Sequence, residues 1–227
     1  MPLINAPLSE YAFFAGIDPG FSGAISLMNA TGTSVKVWDM PVTEIGKIKK
    51  YRALDLTKLC SILRGVFLLP RVCWGLENPT TRPGEGAERC FRFGRQIGSL
   101  EALLHRSGND YCLISPMLWK NRLGLDGKTI AGANERAAEE FERLYPEHKA
   151  LIHGPRGGIL DGRMDALLIC HFLRMCTGSE TDRKFGKQSP EAFAYCASGG
   201  GRSHGKRPMR SLRSHTNGSS NGREESL

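Results

Sequence analysis

Four acidic residues stand at positions from which a folded chain can gather them. Asp18 ends the apolar run Tyr11 to Ile17, and Glu77 ends the short β-prone run Arg71 to Leu76. Asp161 and Asp165 are four apart at the start of an apolar stretch, so on a helix both project from one face near its first turns. Carboxylates brought together at neutral pH repel one another unless they are protonated or neutralised by cations. Oxygen-only ligands select hard ions such as Mg²⁺, for which Mn²⁺ commonly substitutes, and a pair of such ions roughly 4 Å apart activates water and stabilises a leaving oxygen. The chemistry this favours is in-line hydrolysis of a phosphodiester.

Each acid also has a plainer reading. Asp18 can cap its own Pro19-Gly20 bend, Glu77 can be a solvated strand end before Asn78-Pro79, and Asp161 can be an ordinary helix N-cap before Gly162. Asp165 lies between Met164 and the apolar run Ala166 to Cys170, where an unpaired carboxylate is costly, and Arg163 offers it an alternative partner. It is the four together that favour a metal site. Other polar residues invite similar comparison. Lys120, Arg122 and Lys128 form a basic group that reads either as a rim for phosphates or as solvated surface, Trp119 reads as a core plug, and His171 as a satisfied core histidine. Phe91 and Phe93 lie two apart at a helix start and cannot share one face, so one of them is a candidate for exposure.

The elements that must position these residues follow from apolar spacing. Tyr11 to Ile17 is nearly all apolar, as in a strand buried on both faces; Ala24 to Met28 returns beside it after the turn, and Val35 to Trp38 is a third short strand. Leu56, Leu59, Ile62, Leu63 and Val66 repeat at helical spacing until Pro70. A strand at Arg71 to Leu76, a Gly-rich loop at Thr80 to Glu88 and a helix at Phe91 to His105 come next. Tyr111 to Ile114 predicts another strand; Ser115 can cap a helix turn with Pro116 in its first position, and Ala131 to Leu144 is strongly helical. The last helix runs from Asp161 through Leu173 and is apolar enough to be largely buried. Strands interleaved with helices predict an α/β fold, a mixed sheet flanked by helices in which ligands gather at strand ends.

The 227 residues suit one α/β domain, 1–176, followed by a Gly-, Ser-, Arg- and Lys-rich tail, 177–227, whose composition predicts disorder. From Cys176 onward nine Lys and Arg face five Asp and Glu, so +4 of the formal +8 belongs to the tail. Such a balance favours a polyanionic partner. Seven cysteines without a CxxC pair read as buried thiols of a reducing compartment rather than zinc ligands. No secretory signal and no membrane anchor is legible, which predicts a cytoplasmic protein, associated with the nucleoid if it binds DNA.

Four blocks carry a family resemblance. Gly16-Ile-Asp-Pro-Gly-Phe-Ser-Gly-Ala24, Leu76-Glu-Asn78, Ser115-Pro-Met-Leu-Trp-Lys120 and Asp161-Gly-Arg-Met-Asp-Ala-Leu-Leu168 resemble, in order and spacing, those of the RuvC-type Holliday junction resolvases, most closely the phage-type and plastid-type branch. The resemblance spans residues 12 to 175. It implies a ribonuclease-H-like fold and a homodimeric, Mg²⁺-dependent crossover junction endodeoxyribonuclease. Such an enzyme cuts opposed strands of a four-way DNA junction and leaves 5′-phosphate and 3′-hydroxyl ends. By the same resemblance Asp18 bridges the metals, Glu77 and Asp165 ligate them, Asp161 ligates or orients the attacking water, and Lys120 meets the scissile phosphate. The bacterial housekeeping enzymes space their last two acids by three residues and this chain by four, so an outer role for Asp161 stays open. Phe91 and Phe93 are candidates for the residue that wedges the junction apart, and Lys120, Arg122 and Lys128 for further DNA contacts.

Three other functions compete with this one. Another ribonuclease-H-like nuclease would act on hybrids or single strands, and a catalytically silent junction-binding protein would not need the acids. An actin-like or sugar-kinase ATPase shares a phosphate-binding hairpin resembling Asp18 to Gly23, but it requires a second large half for which this chain is too short.

Overall fold

The structure is a computed structural model that describes residues 10–46, 50–80, 84–125 and 132–176. The tail 177–227 and Lys128 therefore lie outside the described residues. The α/β class expected from the sequence, a mixed sheet flanked by helices, is the one observed. Its strands are β1 (Phe13–Ile17), β2 (Ala24–Asn29), β3 (Val35–Asp39), β6 (Val72–Glu77) and β7 (Asp110–Ile114), in the order β3-β2-β1-β6-β7. β1 pairs antiparallel with β2 and parallel with β6; β2–β3 is antiparallel and β6–β7 parallel. The central pair β1 and β6 is apolar up to Glu77, the last residue of β6, because both of its faces are covered.

Helices close the two faces. On one side Leu59, Leu63 and Val66 of α1 (Leu56–Phe67) and Leu100 and Leu104 of α2 (Ala87–Ser107) pack on Ala15, Ile17, Trp74 and Leu76. On the other, α3 (Pro116–Arg122), α4 (Ala133–Leu144) and α5 (Asp161–Met175) cover Phe14, Met28, Cys73 and Ile114. The expected burial of the last helix holds: ten of the fifteen residues of α5 are buried, so it is apolar nearly all round. Its approach to the sheet is unusually close. A Cβ built on Gly16 would stand 2.1 Å from the Ala166 carbonyl, and one on Gly162 would stand 2.0 Å from that of Ser22. These positions admit no side chain, and Ser26 Oγ ties the same contact by donating to the Ala166 carbonyl at 2.7 Å.

Several local expectations shift. α2 begins at Ala87 rather than near Phe91, with Gly86 at its cap. Ser115 does hold the cap position of α3, with Pro116 next to it, but its hydroxyl makes no capping bond. Asp161 is not an N-cap: Leu160 takes that place and Asp161 is the first helical residue. A two-stranded sheet, β4 (Val42–Ile45) and β5 (Tyr51–Leu54), and a 3₁₀ segment at Pro146–Ile152 were not anticipated. Neither shows a long apolar period, since β4 is largely exposed and the 3₁₀ segment is short. Of the six described cysteines Cys73, Cys112 and Cys170 are buried, whereas Cys60 and Cys176 are exposed, so the reading as buried thiols holds only in part. No helix among the described residues is long and apolar enough to cross a membrane.

Candidate active site

Strand register brings the first two acids side by side. Ile17 of β1 is opposite Leu76 of the parallel strand β6, so the next residues, Asp18 and Glu77, end neighbouring strands at the same level. Alternation along the strands decides which way they point. Ile17 and Leu76 belong to the α1/α2 face, while Gly16 and Gly75 lie against α5, as their would-be Cβ contacts with Ala166, Ile169 and Leu173 show. Asp18 and Glu77 share the parity of those glycines and therefore face α5. The close approach at Gly162 and Ser22 then seats the first turn of α5, with Asp161 and Asp165, beside the Asp18 turn.

The electrostatics agree with that placement. Burial pushes the Asp18 carboxyl up from 3.8 to about 6; the Gly20 amide opposes the rise, and Asp165 and Asp161 add to it. Burial likewise lifts Glu77 from 4.5 to about 7, against the Trp119 indole, with Asp18 and Asp165 reinforcing the rise. Asp165 is also raised, by burial first, and Asp161 contributes. Each buried acid thus feels at least one of the others. Asp161 is exposed at the rim.

Three bonds hold the acids in place. The Gly20 amide donates to Asp18 Oδ1 at 2.9 Å, so the plain role of closing the Pro-Gly bend and the functional one coexist in the same side chain. Trp119 Nε1 donates to Glu77 Oε1 at 2.9 Å. Lys120 Nζ donates to Asp165 Oδ2 at 3.1 Å, and it sits 4.8 Å from the centroid of the Trp119 ring. Glu77 is no solvated strand end: only 7% of it is exposed. Arg163, the other partner considered for Asp165, instead makes a two-pronged bond to Asp39 at 2.5 and 2.7 Å and pins the start of α5 to the sheet edge.

Four carboxylates against one ammonium leave a charge of −3 if all ionise, and Lys120 lowers Asp18, Glu77 and Asp165 alike. In the conformation described the ammonium bonds Asp165 and acts on Asp18 and Glu77 through its charge. Among the described residues no three His, Cys, Asp or Glu side chains form a ready-made metal cage. The donor set nevertheless fits a hard divalent cation. It is all oxygen, and in its three buried members, Asp18, Glu77 and Asp165, burial first and mutual repulsion second disfavour the charged forms. A divalent cation would relieve that repulsion and compete with Lys120 for Asp165.

The remaining candidates are placed less centrally. Phe91 is 66% exposed on the first turns of α2 and Phe93 is half-buried, as their spacing required. Arg122 is half-buried, and its charge acts on Cys176 at the C-terminal end of α5, away from the acids. Trp119 is fully buried as expected for a core plug, but it has a second role that the sequence did not reveal, since its one polar atom holds Glu77. His171 is a satisfied core histidine: Nδ1 lies 2.6 Å from the Tyr145 hydroxyl, and burial pushes the ring down to about 4.

No family model and no curated protein sequence matches the chain. Among solved structures, one described as the Thermus thermophilus RuvC structure aligns at 18% identity over 70% of this chain and 93% of the other, with a TM-score of 0.40. Another, T. thermophilus RuvC in complex with Holliday junction substrate, aligns at 16% identity over 74% of this chain and 98% of the other, with a TM-score of 0.44.

Proposed function

We propose that the protein is a divalent-metal-dependent endonuclease that cuts branched DNA, in particular the four-way junction. The observation that supports the hydrolytic part is that Asp18, Glu77 and Asp165 are buried within reach of one another's charge, with Asp161 acting on Asp18 and Asp165 and Lys120 bonded to Asp165. A structural cluster would be expected to neutralise its acids with more cations or to replace them with apolar residues. The choice of branched DNA follows from the motif resemblance, and the basic charge of the chain accords with it.

Asp18, Glu77 and Asp165 would hold Mg²⁺, or Mn²⁺ in its place, with Asp161 ligating or orienting from outside. Bound there, such ions supply Lewis acidity at a phosphoryl oxygen and lower the pKa of coordinated water. The chain's own residues prepare the reaction. The Gly20 amide fixes the rotamer of Asp18, and the Trp119 indole keeps Glu77 facing the cluster. Lys120 is poised to leave Asp165 for a phosphate oxygen, where a point charge stabilises the negative charge that develops in the transition state. The products would be 5′-phosphate and 3′-hydroxyl ends. Paired cuts on opposed strands require two sites related by a two-fold axis, which a homodimer supplies. Phe91, exposed near the start of α2, is placed to enter DNA as the wedge more readily than Phe93.

The test is incubation of the full chain with a synthetic mobile four-way junction, a linear duplex, an RNA–DNA hybrid and single strands, each with Mg²⁺ or Mn²⁺. Symmetrical nicks in the junction, lost in Asp18→Asn, are expected. Preferential cutting of hybrid or single strands would redirect the proposal to another nuclease of this fold. Junction binding without nicks under either metal would make the protein a silent binder.

A further inference from the structure

The β4–β5 hairpin adds no strand to the main sheet, yet it is tied to the turn that carries Asp18 and to α2. It grows from the acid end of the sheet. β3 ends at Asp39 opposite Ala24, and the Met40 amide bonds the Gly23 carbonyl, so the hairpin starts next to the Asp18 turn. Arg52 on β5 reaches back to that turn: its guanidinium donates to the Phe21 carbonyl and lies 5.7 Å from the Phe21 ring centroid. Next to Arg52 on β5, the ring of Tyr51 lies 5.9 Å from the guanidinium of Arg92 of α2. Lys50, Tyr51 and Arg52 are all exposed.

Charge explains why such an arm would be useful. A cluster that carries excess negative charge repels a phosphodiester backbone, so cations must flank it if a strand is to be held there. Arg52 stands at the Asp18 turn and Arg92 at the far side of Tyr51, and both lie against aromatic rings, an arrangement that offers phosphates a charge and bases a flat apolar surface. Lys50 pairs with the exposed Glu44 at 3.3 Å, a contact that a phosphate would readily displace.

We propose that the β4–β5 hairpin is a DNA-backbone contact surface, with Lys50, Arg52 and, across Tyr51, Arg92 gripping the strand that leaves the acid cluster. This rests on the nuclease reading but is separable from it. The test is fluorescence anisotropy of a labelled four-way junction against the full chain in chelator, over a series of salt concentrations. The double variant Lys50→Ala/Arg52→Ala is expected to bind about tenfold more weakly at ~0.1 M salt and to lose about two from the slope of log K against log salt, about one per phosphate contact. Arg52→Lys should keep the wild-type slope. If the double variant melts at a lower temperature, Lys50→Glu alone decides, because the contact that Lys50 makes among the described residues is an exposed ion pair with Glu44. Its slope is expected to fall by about two, since a contact is lost and a repulsion gained. Wild-type affinity and slope in these variants would overturn the hairpin surface and leave the nuclease reading standing. A wild-type chain that binds neither junction nor duplex at low salt would overturn both.

Discussion

If Glu77 is a carboxylate the fold holds at a cost until a cation arrives, removing its charge should stabilise the protein that lacks metal. Glu77→Gln is the suitable perturbation, because the amide keeps the shape and still offers an oxygen to the Trp119 indole. The folded carboxyl titrates near 7 against an ordinary 4.5, so the fold favours its protonated form. Its contribution to stability is fully present below about pH 4.5 and is lost as pH rises toward about 7. At about 1.4 kcal/mol per pH unit that interval amounts to about 3 kcal/mol, an upper bound because relaxation and water entry soften it. For a domain of this size even ~2 kcal/mol corresponds to a melting shift of about 4–8 °C. The wild-type pH profile alone would mislead, since His171, pushed down to about 4 from 6.5, loses stability on acidification over an overlapping range. The difference between wild type and variant cancels that contribution. Melting the two proteins in chelator from pH 4.5 to 8 should show Glu77→Gln gaining on wild type as pH rises, with the advantage removed when Mg²⁺ is added to both. A constant difference across the range, or a variant less stable than wild type at pH 8, would refute the reasoning.

Other outcomes follow from the same contacts. Trp119→Phe keeps the ring in the core but removes the donor to Glu77; junction cleavage should fall about tenfold or more, with a raised Mg²⁺ requirement and a Mn²⁺ affinity reduced by ~10-fold, as read by titration of the uncut protein. Unchanged metal affinity would reduce Trp119 to a core plug. Gly162→Ala drives a methyl to within 2.0 Å of the Ser22 carbonyl and should cost ~3 kcal/mol or more in denaturant unfolding, whereas Gly65→Ala, with open space around it, should not destabilise α1.

Much of the framework was legible in the chain. Apolar runs ending in Asp18 and Glu77, the helical period before Pro70 and the long apolar segment after Asp161 gave strands and helices with ends displaced by a few residues, because each element buries enough apolar surface to show its period. The four acids of the proposed site were chosen from their positions at element ends and from the motif blocks around them, and the charges of Asp18, Asp165 and Asp161 are felt within that set. The β4–β5 hairpin was not, because it is short, half-exposed and held by contacts to Phe21 and Arg92 that are distant in sequence.

The amino-acid order by itself determined which residue types end the central strands and begin the last helix, and so which side chains were available for a metal. Only the tertiary structure decided how those acids are kept. The parallel register of β1 and β6 sets Asp18 level with Glu77, and the absence of a Cβ at Gly16 and Gly162 lets α5 come close enough to add Asp165. The assignment of Trp119 to Glu77, Lys120 to Asp165 and Arg163 to Asp39 was likewise settled in three dimensions. Hydrogen bonds and ion pairs act over a few ångströms, and residues separated by 42 to 124 positions reach that range only after the sheet and helices have packed.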